Sequence, residues 1–181
     1  VSLISTSEAK TFLRVSASEL DAEVALMMAG LEEWVERYCG FALTSAEVED
    51  ESVDGGGLLL DLARKPVTSV ASVTDAEDDV VWDTDHYQLV DGRGVLRVDD
   101  RGARWAGGYL RWLVTYTGGY TAETAPAGLK PLLLSLLHRA WNARGDVPFR
   151  MESGASVNWR ALAEGDVLEM LEVYRLGAKV M

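Results

Sequence analysis

Apolar positions in the first forty residues recur in steps of three and four, the spacing of one helix face. Ser5-Thr6-Ser7-Glu8 opens the first helix: Ser5 caps the free amides and Glu8, three residues on, reaches back to complete a capping box. Ala9, Phe12 and Leu13 follow as a short apolar face ending near Val15. Ser18-Glu19-Leu20-Asp21 starts a longer helix, with its acids in the first turn where the dipole favours them. Leu20, Val24, Met27, Met28, Leu31, Trp34, Val35 and Tyr38 fall on one stripe of it, and Glu23, Glu32, Glu33 and Glu36 fall mostly elsewhere. Gly40 is placed to end that helix.

From about residue 44 the period changes to two. Leu58-Leu59-Leu60, Val67-Thr68-Ser69-Val70 and Tyr87-Gln88-Leu89-Val90 read as short strands. Val95-Leu96-Arg97-Val98 follows the turn residues Asp91-Gly92-Arg93-Gly94 and completes a hairpin. Tyr109 to Thr117 is the most regular strand, with Leu110, Trp112, Val114 and Tyr116 on one face and Gly118-Gly119 at its end. The helical period returns after Pro126, which suits a helix start. Leu129, Leu132, Leu133, Leu136, Leu137, Ala140 and Trp141 make a wide apolar face that ends at Arg144-Gly145, with Pro131 tolerated in the first turn. Residues 145–160 show no clear period, and a last helix runs from about Asp166 to Leu176.

The pattern predicts an α+β protein. About four helices form a bundle, and an antiparallel β region is inserted between helices two and three. The expected parts are N-terminal helices over 1–43, the β region over 44–120, the third helix over 121–145, and a C-terminal arm with a short helix over 146–181.

Charge narrows what such a fold can do. The chain carries a formal −12 over 181 residues. Residues 1–53 hold Lys10, Arg14 and Arg37 against eleven acids, whereas residues 121–181 balance. Tight nucleic-acid binding begins with a basic patch, because counterion release supplies much of the affinity, and no such patch is visible. Cys39 is the single cysteine, so neither an intramolecular disulfide nor a multi-cysteine metal site is possible. The opening Val1-Ser2-Leu3-Ile4 lacks the basic and long apolar parts of a signal peptide. The run Leu132 to Leu137 is too short to span a bilayer. Synthesis in the cytoplasm without a membrane anchor is expected.

Several strings, in order, resemble the head-tail connector (adaptor) family of long-tailed double-stranded DNA phages. Leu3-Ile4-Ser5 to Ala9-Lys10 and Phe12-Leu13-Arg14-Val15 resemble the family's opening "LISLEEAKxFLRV". Tyr38-Cys39-Gly40 is similar to its "YxG" helix end, and Arg64-Lys65-Pro66-Val67 with Ser69-Val70 and Ser72-Val73 to its "RxPVxSVxSV" strand. Asp85-His86-Tyr87-Gln88-Leu89 looks like "DYxL", and Val114 to Tyr120 like "VTYTAGY". Pro126 to Lys130 resembles "vPxxLKxA", and Leu171 to Arg175 resembles "LLxPYR", departing from it at Val173.

The resemblance implies a structural virion protein and no enzyme or cofactor. It implies self-association into a twelvefold ring between the portal protein and a stopper or tail-completion protein. Double-stranded DNA would pass through without tight binding, which a negative lumen favours. The free chain is expected to be a monomer or weak oligomer. The portal is expected to meet the segment after Gly145, where Val147, Phe149, Met151, Val157 and Trp159 either pack back on the bundle or wait for a partner. Trp105 and Trp159 lie outside any stripe; as interface anchors and as local packing they stand level. The candidate portal or subunit interface is then Trp105, Phe149, Met151, Trp159, Leu168, Leu171, Tyr174 and Arg175.

Two other readings stay open, another neck protein and an enzyme with a shallow acidic site in the β region using Asp83 or Asp85. The chain holds two histidines, His86 and His138, and no Gly-x-Ser-x-Gly elbow. Neither Asp83, Asp85 and His86 nor Asp75, Glu77, Asp78 and Asp79 has calcium-loop spacing, so both groups read as solvated loops. Gly55-Gly56-Gly57 lacks the Lys-Ser/Thr and helix start of a phosphate cradle and reads as a turn.

Overall fold

The structure is a computed structural model that describes residues 3–90, 92–97, 103–143, 158–163 and 165–175. It is mixed α+β and divides into two compact units. One is a helical unit of residues 2–43 and 122–181, the other a sheet unit of residues 44–121.

In the helical unit, α1 (Thr6–Leu13) starts with the expected capping box. The Ser5 hydroxyl accepts from the Glu8 amide at 3.2 Å, and the Glu8 carboxylate accepts from the Ser5 amide at 2.9 Å. Lys130 Nζ reaches the same carboxylate at 2.5 Å, tying α1 to the start of α3. That bond, followed by the Ser5 amide, lowers the Glu8 pKa to about 2. A short 3-10 turn (Ser18–Leu20) leads into α2 (Asp21–Cys39), which Gly40 ends at φ 77°, a left-handed conformation glycine adopts freely. Val24, Met27, Met28, Leu31, Val35 and Cys39 are buried on its inner face.

The third helix, α3 (Leu129–Ala143), begins later than the proline signal suggests. Pro126 lies in the preceding turn, where its carbonyl accepts from the Leu129 amide at 2.9 Å, and Pro131 takes the tolerated first-turn place. All seven expected apolar residues of α3 are buried. The expected end at Arg144-Gly145 lies outside the described residues. Beyond it, Asn158 caps a one-turn helix, α4 (Trp159–Leu162), where the sequence has no readable period. The last helix is α5 (Asp166–Tyr174). Among the described residues no helix is long and apolar enough to cross a membrane.

The sheet unit holds two antiparallel sheets rather than one region. The larger has the order β1-β7-β3-β4, formed by β1 (Ala46–Val53), β3 (Val67–Asp75), β4 (Val80–Trp82) and β7 (Trp112–Gly118). The smaller has the order β2-β6-β5, formed by β2 (Leu59–Asp61), β5 (Tyr87–Val90) and β6 (Gly94–Arg97). The β5–β6 hairpin is the one its turn residues announce.

Strands β1 and β4 escape the sequence pattern for one reason. Each is an edge of the larger sheet, so packing does not impose strict alternation. Glu47, Glu49, Asp50 and Glu51 make β1 strongly acidic, and its register with β7 slips between Val48 and Glu51. Asp50 sits in that bulge at φ 47°, and Thr115 Oγ1 accepts its amide at 3.1 Å. The central strand β7 buries Trp112, Val114 and Tyr116, each contributing about 1.5–3 kcal/mol before entropy is counted. They meet Leu60, Leu62, Val67, Val73, Tyr87, Val95 and Trp105 in the core.

Candidate interface site

Strand pairing gives the sheet unit two distinct ends. Ala46 of β1 and Val67 of β3 pair with Gly118 of β7 at the end where the chain enters and leaves. At the far end Val53 pairs with Trp112, Trp112 with Asp75, and Asp75 with Val80. Three loops meet there. The Gly55 amide donates to the Gly108 carbonyl at 3.0 Å, the Leu110 amide to Asp54 Oδ1 at 2.8 Å, and the Ala76 amide to the Arg111 carbonyl at 2.9 Å. Gly55 is required: a Cβ on it would lie 1.8 Å from the Ala106 carbonyl oxygen.

Beneath the loops, Trp82, Trp105 and Trp112 form one cluster with ring centroids 4.7–5.4 Å apart. Both buried indoles are satisfied: Trp105 Nε1 donates to the Val95 carbonyl and Trp112 Nε1 to the Ala106 carbonyl, each at 3.0 Å. The Arg97 guanidinium stands 4.7 Å over the Trp82 ring.

The tip's loops carry exposed apolar side chains. Tyr109 is 84% exposed, and Leu58, Val80, Val81 and Leu110 of the same unit are exposed too. These are the exposed large hydrophobics among the described residues of the sheet unit. Exposed acids share that end: Asp54 binds the Leu110 amide, and Glu77 and Asp78, followed by Asp79, bind the adjoining Arg111. Arg111 lies half-buried and binds Asp75 through two prongs, Glu77 at 2.5 Å and Asp78 at 3.0 Å. Its guanidinium holds the Asp75 carboxyl below the usual carboxylate range. Asp75, Glu77 and Asp78 thus close on a cation of the protein's own. Among the described residues no group of three His, Cys, Asp or Glu is arranged to hold a metal.

The helical unit carries a groove of its own. Thr11, Phe12, Leu13, Arg14 and His138 line a groove of about 590 Å³. Phe12 meets the His138 imidazole edge-on at 6.1 Å, and Arg14 turns the chain at φ 57°. The Arg14 guanidinium is exposed and has no hydrogen-bond or ion-pair partner among the described residues.

The residues picked from sequence are dispersed. Trp105 is in the indole cluster and Trp159 is buried in the helical unit, close against Gly30, so local packing claims both. Leu171 is also fully buried; its carbonyl lies 3.8 Å from the Cys39 thiol, whose pKa burial pushes up to about 12. Leu168 and Tyr174 are half-buried. Arg175 is exposed, with its guanidinium 5.6 Å over the Tyr38 ring and 3.3 Å from Glu172. Phe149 and Met151 lie outside the described residues. Asp83 and His86 flank a shallow groove with Val80, Val81 and Trp82, where His86 meets Trp82 edge-on. Tyr109 and Leu110 are the residues the sequence misplaces. Read as the start of a strand, they precede it, and Leu110 has a left-handed φ of 49°. The pair Gly107-Gly108 is the signal that breaks the strand there.

A family model described as "Head completion protein" matches residues 2–176. No curated protein matches the chain. Among solved structures, the fold is similar to a chain in the neck of an empty gene transfer agent (GTA) particle computed with C6 symmetry. That match has a TM-score of 0.62 and 17% identity, and covers 97% of this chain and 92% of that one. A chain in the virion of the native particle is similar at a TM-score of 0.58 and 17% identity, over 97% and 92% of the two chains. A chain in the neck of the native particle, computed with C12 symmetry, is similar at 0.55 and 18%, over 93% and 90%.

Proposed function

The chain belongs to the head completion protein family, and on that premise we propose that it is a head–tail connector (adaptor). It repeats as a twelvefold ring in the virion neck, between the portal and the stopper or tail, and surrounds a passage for DNA. Its role is structural and its sites are interfaces. The observation that carries this reading is the fold shared over nearly the whole chain with proteins from necks computed with C6 and C12 symmetry.

In this reading the helices form a bundle that carries the ring, and the sheet unit is an insertion between α2 and α3. The outer side of α5, with Met170 and Val173 exposed beside Arg175, faces the portal together with the arm that precedes it. The acidic balance supports free passage of DNA, because a negative wall repels phosphate over a Debye length of about 8–10 Å.

Electron microscopy of the particle neck at subunit resolution tests the proposal. The expected result is a closed ring of this chain touching the portal. A ring that sits below another protein and never meets the portal would make it a stopper or tail-completion protein instead. Titration of labelled duplex at about 150 mM salt should give no tight complex, and sub-micromolar affinity would overturn the free-passage reading.

A further inference from the structure

We infer that the sheet unit's tip, led by Tyr109, docks in the groove of Phe12, Arg14 and His138 on a second copy of this chain. The inference rests on the ring reading and deepens it by naming the contact. A cyclic ring needs two different surfaces on every chain, one complementary to the other, because a patch that pairs with itself closes a dimer and stops.

The tip and the groove form such a pair. Two tips cannot meet well, since Asp54, Glu77, Asp78 and Asp79 would bring like charges together. The groove offers one cation, Arg14, and two aromatic rings. Its Arg14 guanidinium lacks a partner among the described residues and can lie over the Tyr109 ring or against the tip's carboxylates. Phe12 and His138 offer aromatic edges for a tyrosine ring, and the groove's 590 Å³ is roomy enough to admit it.

The tip's loops are also tied down by their own contacts. Asp54 holds Leu110, and three carboxylates hold Arg111. Little loop freedom is lost on docking, which is the condition under which one exposed aromatic becomes an anchor.

The test uses full-length chains in particles whose sole copy of the protein is the variant, counting copies per neck by imaging and quantitative mass spectrometry. Tyr109→Ala and Arg14→Glu should each lower occupancy, on the order of tenfold, while the thermal melts of the purified proteins stay as in the wild type. Arg14→Glu combined with Glu77→Arg should restore occupancy, because the swap re-creates the attraction and leaves Arg111 its Asp75 and Asp78 partners. Full occupancy with either single variant, or no recovery in the swapped pair, overturns the contact. A wild-type neck with no ring of this chain overturns the ring reading itself. A wild-type ring with Tyr109 remote from the neighbouring groove overturns the contact alone.

Discussion

Arg111 and Asp75 face each other in a two-pronged pair at the ends of β7 and β3, with Nε 2.9 Å from Oδ1 and Nη2 2.6 Å from Oδ2. Asp75 is the one buried charged residue among those described, and the pair is what makes its burial tolerable. Because the folded-state pKa of Asp75 is depressed, its contribution is complete above the unfolded value of about 3.9 and is lost as pH falls through the lower folded value. Asp75→Asn should therefore lower the melting temperature at pH 7 and flatten its fall in acid below about pH 4. Thermal melts at a series of pH values check this; parallel curves for the two proteins would contradict it.

Tyr116 supplies a second buried polar node. Its hydroxyl accepts from the Arg64 amide at 2.9 Å and donates to Glu51 Oε2 at 2.5 Å, and the other Glu51 oxygen accepts from the Ala63 amide. Tyr116→Phe leaves these groups short of a partner and should cost about 1–3 kcal/mol in urea unfolding. Burial first, and then Glu51, pushes the phenol up to about 12, so a spectrophotometric titration of the native protein and of Tyr116→Phe should differ by one tyrosine still protonated at pH 11.

Helix α5 places a buried residue and an exposed one two positions apart. Leu171 is fully buried, and Leu171→Ala should cost about 2–5 kcal/mol. Val173, 77% exposed on the same helix, should tolerate Asp with a change within about 0.5 kcal/mol. Under the proposed function, Val173→Asp should nevertheless weaken attachment to portal-bearing heads. Denaturant midpoints and head-binding assays on the two variants separate the effects.

Two glycines near the tip make a matched pair. Gly55→Ala drives a methyl group into the Ala106 carbonyl and should destabilise the tip, whereas Gly107→Ala meets nothing within 4 Å. Hydrogen exchange of the 104–112 amides should rise in the first variant and stay near wild type in the second.

How much was legible depended on where each residue's surroundings lie. Helix α2 could be read because its core stripe repeats every turn, and the Ser5–Glu8 cap because both partners sit three residues apart. The β5–β6 hairpin was readable for the same reason, its turn residues lying between the strands they join. Strand β1 was not: Glu47, Glu49, Asp50 and Glu51 are compatible with a strand because β1 is an edge whose long-range partner is β7. Trp105 and Trp159 look alike in sequence as aromatics in irregular segments. The cluster that takes up Trp105 joins it to Trp112 at the start of β7 and to Trp82 in β4, a strand of the same sheet that no local period ties to it.

The sequence by itself determined helices α1, α2, α3 and α5, the change of period at residue 44, the acidic balance and the resemblance to neck proteins. Each of these is carried by neighbours a few residues apart or by composition. Only the tertiary structure decided that the β residues form two sheets, that Leu171 and the two tryptophans are core, and that Tyr109 and Leu110 lie exposed in the loop ahead of β7. Those outcomes depend on pairings such as Asp75 with Arg111 and Asp54 with Leu110, which join residues 36 and 56 positions apart. Contacts at that separation leave no local period, because the free energy that selects them comes from closing the whole sheet rather than from any one segment.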